Sequence, residues 1–160
     1  MRVGQGFDAH RLVAGRPLRL GGIEVPHDRG LEGHSDGDAL LHALASALLG
    51  AAGEGDLGTL FPSSDASLEG IDSARILEQV ALRVRARGFE IGNVDATLIA
   101  QAPRLAAFLP RMAEAIAGAL SLPRERVNVK VSSTDQLGAL GREEGIAALA
   151  VVLLEESDSA

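Results

Sequence analysis

The apolar positions of this chain switch between a helical and a strand period, and each switch marks an element boundary. Leu40, Leu41, Leu44, Ala45, Leu48 and Leu49 recur at helical spacing and predict a helix over 36–52, ending near Gly53. Asp36 stands at the expected N-cap, where a carboxylate can accept from the free amides of the first turn. Ile76, Leu77, Val80 and Val84 predict a second helix over 73–87, capped by Asp72 and closed by Gly88. Arg83, Arg85 and Arg87 gather at its C-terminal end, where the helix dipole favours cations, and read as a solvated helix end. Residues 105–120 carry a third helical pattern, with Pro110 near the first turn of its main segment.

Between the helices the period falls to two. Residues 1–8 read as a strand. Leu18-Arg19-Leu20 and Ile23-Glu24-Val25 flank Gly21-Gly22, a two-residue hairpin signal. Val94, Ala96, Leu98 and Ala100 alternate with Asp95 and Thr97 over 89–100, and a further strand is predicted over 127–131. The last strand, 146–154, is apolar on both faces, so both should be covered. Three helices can cover one face, and a 160-residue chain has little left for the other. The pattern therefore predicts an oligomer whose sheets pack together. The expected class is α+β, a mixed sheet of about four main strands with helices on one face plus a small β-hairpin. One domain is expected over 1–160, with about 155–160 a frayed tail. The glycine-punctuated stretch 53–70 reads either as a lid or binding segment or as a plain surface connection. The stretch 132–145 is polar and glycine-rich.

The net charge of −7, with no block of Lys or Arg, argues against a nucleic-acid partner, which needs a basic footprint. No cysteine is present, so any metal must be held by His and carboxylate. No apolar run reaches membrane length. The chain opens on Met1-Arg2-Val3-Gly4 and enters motif residues at once, so a soluble cytoplasmic protein without a leader is expected.

The chemistry concentrates in His34-Ser35-Asp36-Gly37-Asp38-Ala39-Leu40-Leu41-His42 and in Gly4-Gln5-Gly6-Phe7-Asp8-Ala9-His10-Arg11. Asp38, His42 and Ser46 form a polar stripe on the flank of the first helix, at i, i+4 and i+8. Asp8 and His10, two apart in an extended chain, project to one side. With His42 they make a candidate zinc ligand set. Three protein ligands leave the fourth position for water or substrate, the mark of a catalytic site. His27, in Val25-Pro26-His27-Asp28, reads as an ordinary turn residue.

Several further motifs stand in a telling order: Gly55-Asp56-Leu57-Gly58 with Phe61-Pro62, Asn93-Val94-Asp95, Ala100-Gln101-Ala102-Pro103, Asn128-Val129-Lys130, and Gly141-Arg142 with Glu144-Gly145. With the two histidine motifs they make the chain resemble the 2-C-methyl-D-erythritol 2,4-cyclodiphosphate synthase family, over about residues 1–154. The resemblance implies a homotrimer with sheets around a threefold axis and active sites between subunits. It implies the substrate 4-diphosphocytidyl-2-C-methyl-D-erythritol 2-phosphate, cyclised with release of CMP in the methylerythritol phosphate route to isoprenoids. It implies zinc on Asp8, His10 and His42, and Mg²⁺ or Mn²⁺ on Asp135 with the substrate diphosphate.

The remaining roles follow from the same resemblance. Asp8, Ala9, His10, His34 and Ser35 would contact substrate, with His34 assisting in the transition state. Asp56 and Gly58 would hold ribose hydroxyls, Leu57 between them would also contact substrate, and Phe61, Pro62, Ser63, Ser64 and Asp65 would line the erythritol pocket. Ala100, Gln101, Ala102, Pro103, Arg104, Leu105 and Ala106 would enclose cytosine from a neighbouring subunit. Ser132, Ser133, Thr134 and Asp135 would grip the diphosphate, with Ser133 stabilising the transition state. Arg142 would cap an apolar axial cavity where isoprenoid diphosphates can sit, or serve only Glu144 and the trimer packing. The chain departs from the family pattern with Ser133 for Thr, Asp135 for Glu, Ser63 for Asp and Ala139 for Phe. Two rivals remain on the residues alone. One is a zinc phosphohydrolase, and the other a non-catalytic trimer stabilised by metal. The ordered motifs favour the cyclase.

Overall fold

The structure is a computed structural model, and it describes residues 1–62 and 64–157. Five strands form one mixed sheet: β1 (Arg2–Ala14), β4 (Arg29–Leu31), β5 (Phe89–Ile99), β6 (Val127–Ser132) and β7 (Gly145–Glu156), in the order β4-β1-β7-β5-β6. All pairings are antiparallel except β5 with β6. The hairpin over Gly21-Gly22 forms as expected between β2 (Leu18–Leu20) and β3 (Ile23–Val25). Both turn glycines adopt positive φ, which a two-residue hairpin loop of this kind requires.

Three longer helices, α1 (Ala39–Ala52), α3 (Ser73–Ala86) and α4 (Leu109–Leu120), pack against one face of the sheet. Two single turns, α2 (Leu57–Leu60) and α5 (Gly138–Gly141), lie within the stretches read as loops. The α2 turn arises because the Asp56 side chain caps it by accepting from the Thr59 amide.

Helix α1 starts three residues later than expected. Its N-cap is Asp38, whose Oδ1 accepts from the Leu41 amide, and not Asp36. Asp38 is fully buried, and it also accepts from the Gly21 and Gly22 amides of the hairpin turn. The expected polar stripe is thus broken at its first position. Asp38 is a pin joining helix start to hairpin, because three backbone donors replace the water it gives up. Nor does α1 have one core face. Every residue except His42, Ser46 and Gly50 is buried, since the helix lies between the sheet and α3.

Glycine sets how closely α1 approaches β1. A Cβ on Gly4 would lie 2.0 Å from the Ala47 carbonyl oxygen, and one on Gly6 would lie 1.9 Å from that of Ala43. Gly4, Gly6, Asp8 and His10 share one face of β1. The helix therefore runs along a glycine track and brings His42, near its start, over Asp8 and His10.

The C-terminal end of α3 is not merely solvated. Arg83 and Arg87 both reach the nearly buried carboxylate of Glu54, at 2.6 and 2.8 Å. Arg85 donates to the Leu120 carbonyl at the end of α4. At the other end of the chain, Glu155 and Glu156, expected in the tail, continue β7 opposite Glu90 and Phe89.

The second face of the sheet carries Val3 and Phe7, 67% and 60% exposed, with Val151 45% exposed. Phe7 pairs with Leu149, and Val3 with Leu153, so the apolar side chains fall in register across β1 and β7. Among the described residues, no helix is long and apolar enough to cross a membrane.

Candidate active site

Asp8 and His10 come from β1, and His42 from the first turn of α1. One ligand atom of each converges. Asp8 Oδ2 lies 2.7 Å from His10 Nε2 and 2.9 Å from His42 Nδ1, and the two nitrogens are 3.2 Å apart. All three side chains are mostly sheltered.

The outer hydrogen bonds decide what those atoms offer. His10 Nδ1–H donates to the Glu32 carbonyl at 2.5 Å, which leaves a lone pair on Nε2. His42 Nε2 meets the hydroxyls of Ser73 at 2.9 Å and Ser35 at 3.1 Å; with a proton on Nε2 donated to that side, Nδ1 faces inward as an acceptor. Asp8 Oδ1 is held by the Ala9 amide. Three acceptors then face one another, and a cation shared between them satisfies all three.

Without metal, protons on the imidazoles take the cation's place: burial opposes the charge on Asp8, but hydrogen bonds then donated by His10 and His42 outweigh it and hold the carboxyl well below the usual range. Burial likewise works against a proton on His10, and the hydrogen bond and charge of Asp8 overcome it, raising that imidazole's pKa. Two imidazoles and a carboxylate suit zinc, and tetrahedral bonds of about 2.0 Å would put ligand atoms about 3.3 Å apart. The observed triangle is slightly tighter, so accepting an ion requires a small outward shift. The residues fit a divalent transition metal.

The triad opens on a cavity of about 240 Å³, which His34, Ser35, Leu57, Gly58 and Phe61 also line. Arg16 steadies the loop beneath by donating to the Gly33 and Ser35 carbonyls. The expected companions His34 and Asp65 meet directly, His34 Nε2 lying 3.1 Å from the Asp65 carbonyl oxygen. Asp65 itself holds Ser67, and Asp56 is occupied in capping α2. Pro62 and Ser64 flank the expected contact Ser63, which lies outside the described residues.

A second cavity, of about 400 Å³, gathers the other predicted group. Ala100, Gln101, Pro103, Arg104, Leu105 and Ala106 line it, facing Ser132 and Ser133. Ala102 precedes Pro103 through a cis peptide. Gln101 Oε1 accepts from the Gln136 amide and ties the two loops together. Ser133 donates to Asp135, and Thr134 to the Leu137 carbonyl. Arg142 is exposed and pairs with Glu144 at 2.7 Å.

The two cavities share no lining residue. Asp8, Ala148, Leu98 and Val131 mark one row across the sheet. Three strand spacings, about 14 Å, thus separate the β1 and β6 ends of that row. One chain supplies both halves of the predicted site but does not join them.

Sequence reasoning missed Ser73. It is the buried first residue of α3, and it touches both His42 and Asp36. The signal available was its place just after the Asp72 cap.

Fold and site together define an α+β protein with a two-histidine, one-carboxylate cluster that can hold a metal, between a sheet and the start of a helix. Comparison with known proteins gives the kinship. The chain belongs to the YgbB family, whose model matches residues 1–155. It is 55% identical to 2-C-methyl-D-erythritol 2,4-cyclodiphosphate synthase of Geotalea daltonii, over 97% of this chain and 91% of that one. Among solved structures it resembles the bifunctional IspDF from Campylobacter jejuni, with a TM-score of 0.95 and 43% identity. That match covers 98% of this chain and 42% of the bifunctional one. It also resembles a CDP-bound form of 2C-methyl-D-erythritol-2,4-cyclodiphosphate synthase, with a TM-score of 0.88 and 37% identity, over 96% of this chain and 100% of that one.

Proposed function

We propose that this chain converts 4-diphosphocytidyl-2-C-methyl-D-erythritol 2-phosphate to 2-C-methyl-D-erythritol 2,4-cyclodiphosphate and CMP, at a centre built on Asp8, His10 and His42. Its kinship is with enzymes of the cyclodiphosphate synthase kind, lyases of isoprenoid precursor synthesis. The observation that carries the site assignment is the convergence of three acceptor atoms on the wall of a cavity that also holds His34.

An oxygen of the 2-phosphate attacks the β-phosphorus. The bond from that phosphorus to the oxygen bridging it to the α-phosphate breaks, and CMP leaves with the oxygen. No water enters. A phosphate monoester has its second pKa at about 6, so the nucleophile is largely dianionic at neutral pH and needs no strong base. Asp8, His10 and His42 would hold a divalent ion, which would supply positive charge to the phosphoryl oxygens. The protein's own task is positioning and charge stabilisation.

In this reading His34 and Ser35 hold phosphate and erythritol oxygens beside the triad. Asp56 and Gly58 take the ribose hydroxyls, and Phe61 closes the apolar side. The 100–106 loop encloses cytosine, a base suggested by the CDP-bound relative. Ser132, Ser133 and Asp135 grip the diphosphate, Ser133 offers its hydroxyl to the transition state, and Asp135 would hold Mg²⁺ or Mn²⁺. The zinc reading of the triad belongs to the same proposal.

A second copy of the chain completes the site, because the two cavities stand apart within one. The exposed, register-matched apolar face around Phe7 and Val151 supports sheets packed about a threefold axis. The test is analysis of products from the diphosphocytidyl substrate with the metal-loaded protein. CMP and cyclic diphosphate in equal amounts are expected. Inorganic phosphate would indicate a hydrolase instead.

A further inference from the structure

We infer that Ser73, backed by Asp36, is a positioning residue that fixes the tautomer of His42 and thereby keeps its Nδ1 free to bind metal. The inference rests on the metal-site reading above and adds a residue pair to it. Ser73 is 1% exposed, and its hydroxyl has one proton to give. The partners decide its direction. Asp36 Oδ1 lies 2.5 Å from Ser73 Oγ, and among the described residues the carboxylate is otherwise met only by donors: the Asp38 amide, the Ser73 amide and the Arg19 guanidinium at 4.0 Å. Ser73 therefore donates to Asp36. Its oxygen is left to accept, and the group aimed at it is His42 Nε2 at 2.9 Å. With the proton held there, Nδ1 presents a lone pair to a metal shared with Asp8 and His10; the Asp8 carboxylate, 2.9 Å from Nδ1, is the acceptor that Ser73 competes with for that proton.

Ser35 also reaches His42 Nε2, at 3.1 Å, but no carboxylate is hydrogen-bonded to Ser35 among the described residues. Its hydroxyl can turn either way and does not choose a tautomer. The direction comes from Asp36 through Ser73. Asp36 is itself fixed, since its own amide donates to the Ile71 carbonyl and its side chain bridges the starts of α1 and α3. His10 uses the backbone Glu32 carbonyl for the same purpose, so the two imidazoles are oriented by independent devices.

The test compares wild type, Ser73→Ala and Ser73→Thr by Co²⁺ titration with its visible absorption bands, and by ¹⁵N NMR of the His42 ring in the metal-free protein at a pH above the imidazole range. Wild type is expected to favour Nε2–H over the Nδ1–H form that would donate to Asp8. Ser73→Ala is expected to mix the tautomers and to bind Co²⁺ about 10- to 100-fold more weakly, the usual cost of losing such a support. Ser73→Thr, which keeps the hydroxyl, is expected to restore both readouts. Unchanged Co²⁺ affinity and ring shifts in a folded Ser73→Ala protein would overturn the inference. If that variant fails to fold, an Nδ1–H tautomer in wild type overturns it alone, and Nε2–H supports it. Failure of wild type to bind Co²⁺ would instead remove the metal-site reading.

Discussion

Gly6 lies so close to Ala43 that a Cβ built on the glycine would stand 1.9 Å from the alanine's carbonyl oxygen. That contact sets the distance between the strand carrying Asp8 and His10 and the helix carrying His42. Gly6→Ala is expected to push α1 outward. Overpacking of this kind costs about 1–3 kcal/mol or more, because the obstacle is backbone and not a flexible side chain. Urea unfolding should show the lost stability, and the folded fraction should bind Co²⁺ more weakly. A variant with wild-type stability and metal affinity would show that the glycine track does not set the site.

Metal uptake should depend on pH in a defined direction. The proton on His10 is held more tightly than in a free imidazole because the effect of Asp8 exceeds the opposing effect of burial. In the metal-free protein that shift contributes stability below the unfolded imidazole value of about 6.5, and the contribution fades as pH rises through the higher folded value. Metal must displace this proton. The rise in Tm produced by a fixed zinc concentration should therefore grow as pH increases across the imidazole range. A zinc effect independent of pH would contradict binding at His10. Asp8→Asn should abolish most of the rise at any pH.

Asp38 is the stability-critical acid of the site region, although it meets no substrate in this account. It accepts from the Gly21, Gly22 and Leu41 amides in full burial. Burial pushes its pKa up, and the amides from Gly22, Gly21 and Leu41 oppose that rise. Asp38→Ala would strand three buried donors, each costing about 1–3 kcal/mol when unmatched, less what water recovers. Chemical denaturation should show a loss of at least about 3 kcal/mol. A loss within about 0.5 kcal/mol, the usual size for an inert surface substitution, would mean that the hairpin is not pinned through this carboxylate.

The Arg83–Glu54–Arg87 cluster offers a contrast. Its arginines are exposed, so water screens much of the attraction. Glu54→Gln should cost no more than about 1 kcal/mol by thermal unfolding, since exposed ion pairs contribute about that at most. A larger loss would show that the carboxylate anchors the end of α1 against α3.

Much of this could be read from the residues. The hairpin was legible because Gly21-Gly22 permits one turn geometry between two short apolar runs. Asp8 and His10 were legible as a pair because a strand repeats every two residues, and His42 because few histidines compete for the third place. The true cap of α1 was not legible. Asp36 and Asp38 are both good capping residues, and the choice depends on the distant amides of Gly21 and Gly22. Ser73 was invisible for the same reason, since its partners lie 31 and 37 residues away. The apolar faces of β7 announced two covered surfaces, and the described residues of one chain cover only one of them. Function was legible through ordered motifs, whereas the separation of the two cavities required the sheet order.

The most direct test of the central claim is anomalous diffraction at the zinc absorption edge from crystals of the zinc-loaded protein. The account requires one peak per chain, about 2.0–2.2 Å from Asp8 Oδ2, His10 Nε2 and His42 Nδ1, with a fourth position facing the cavity. No peak there, or a zinc ion bound through other side chains while the triad keeps its metal-free hydrogen bonds, would contradict it.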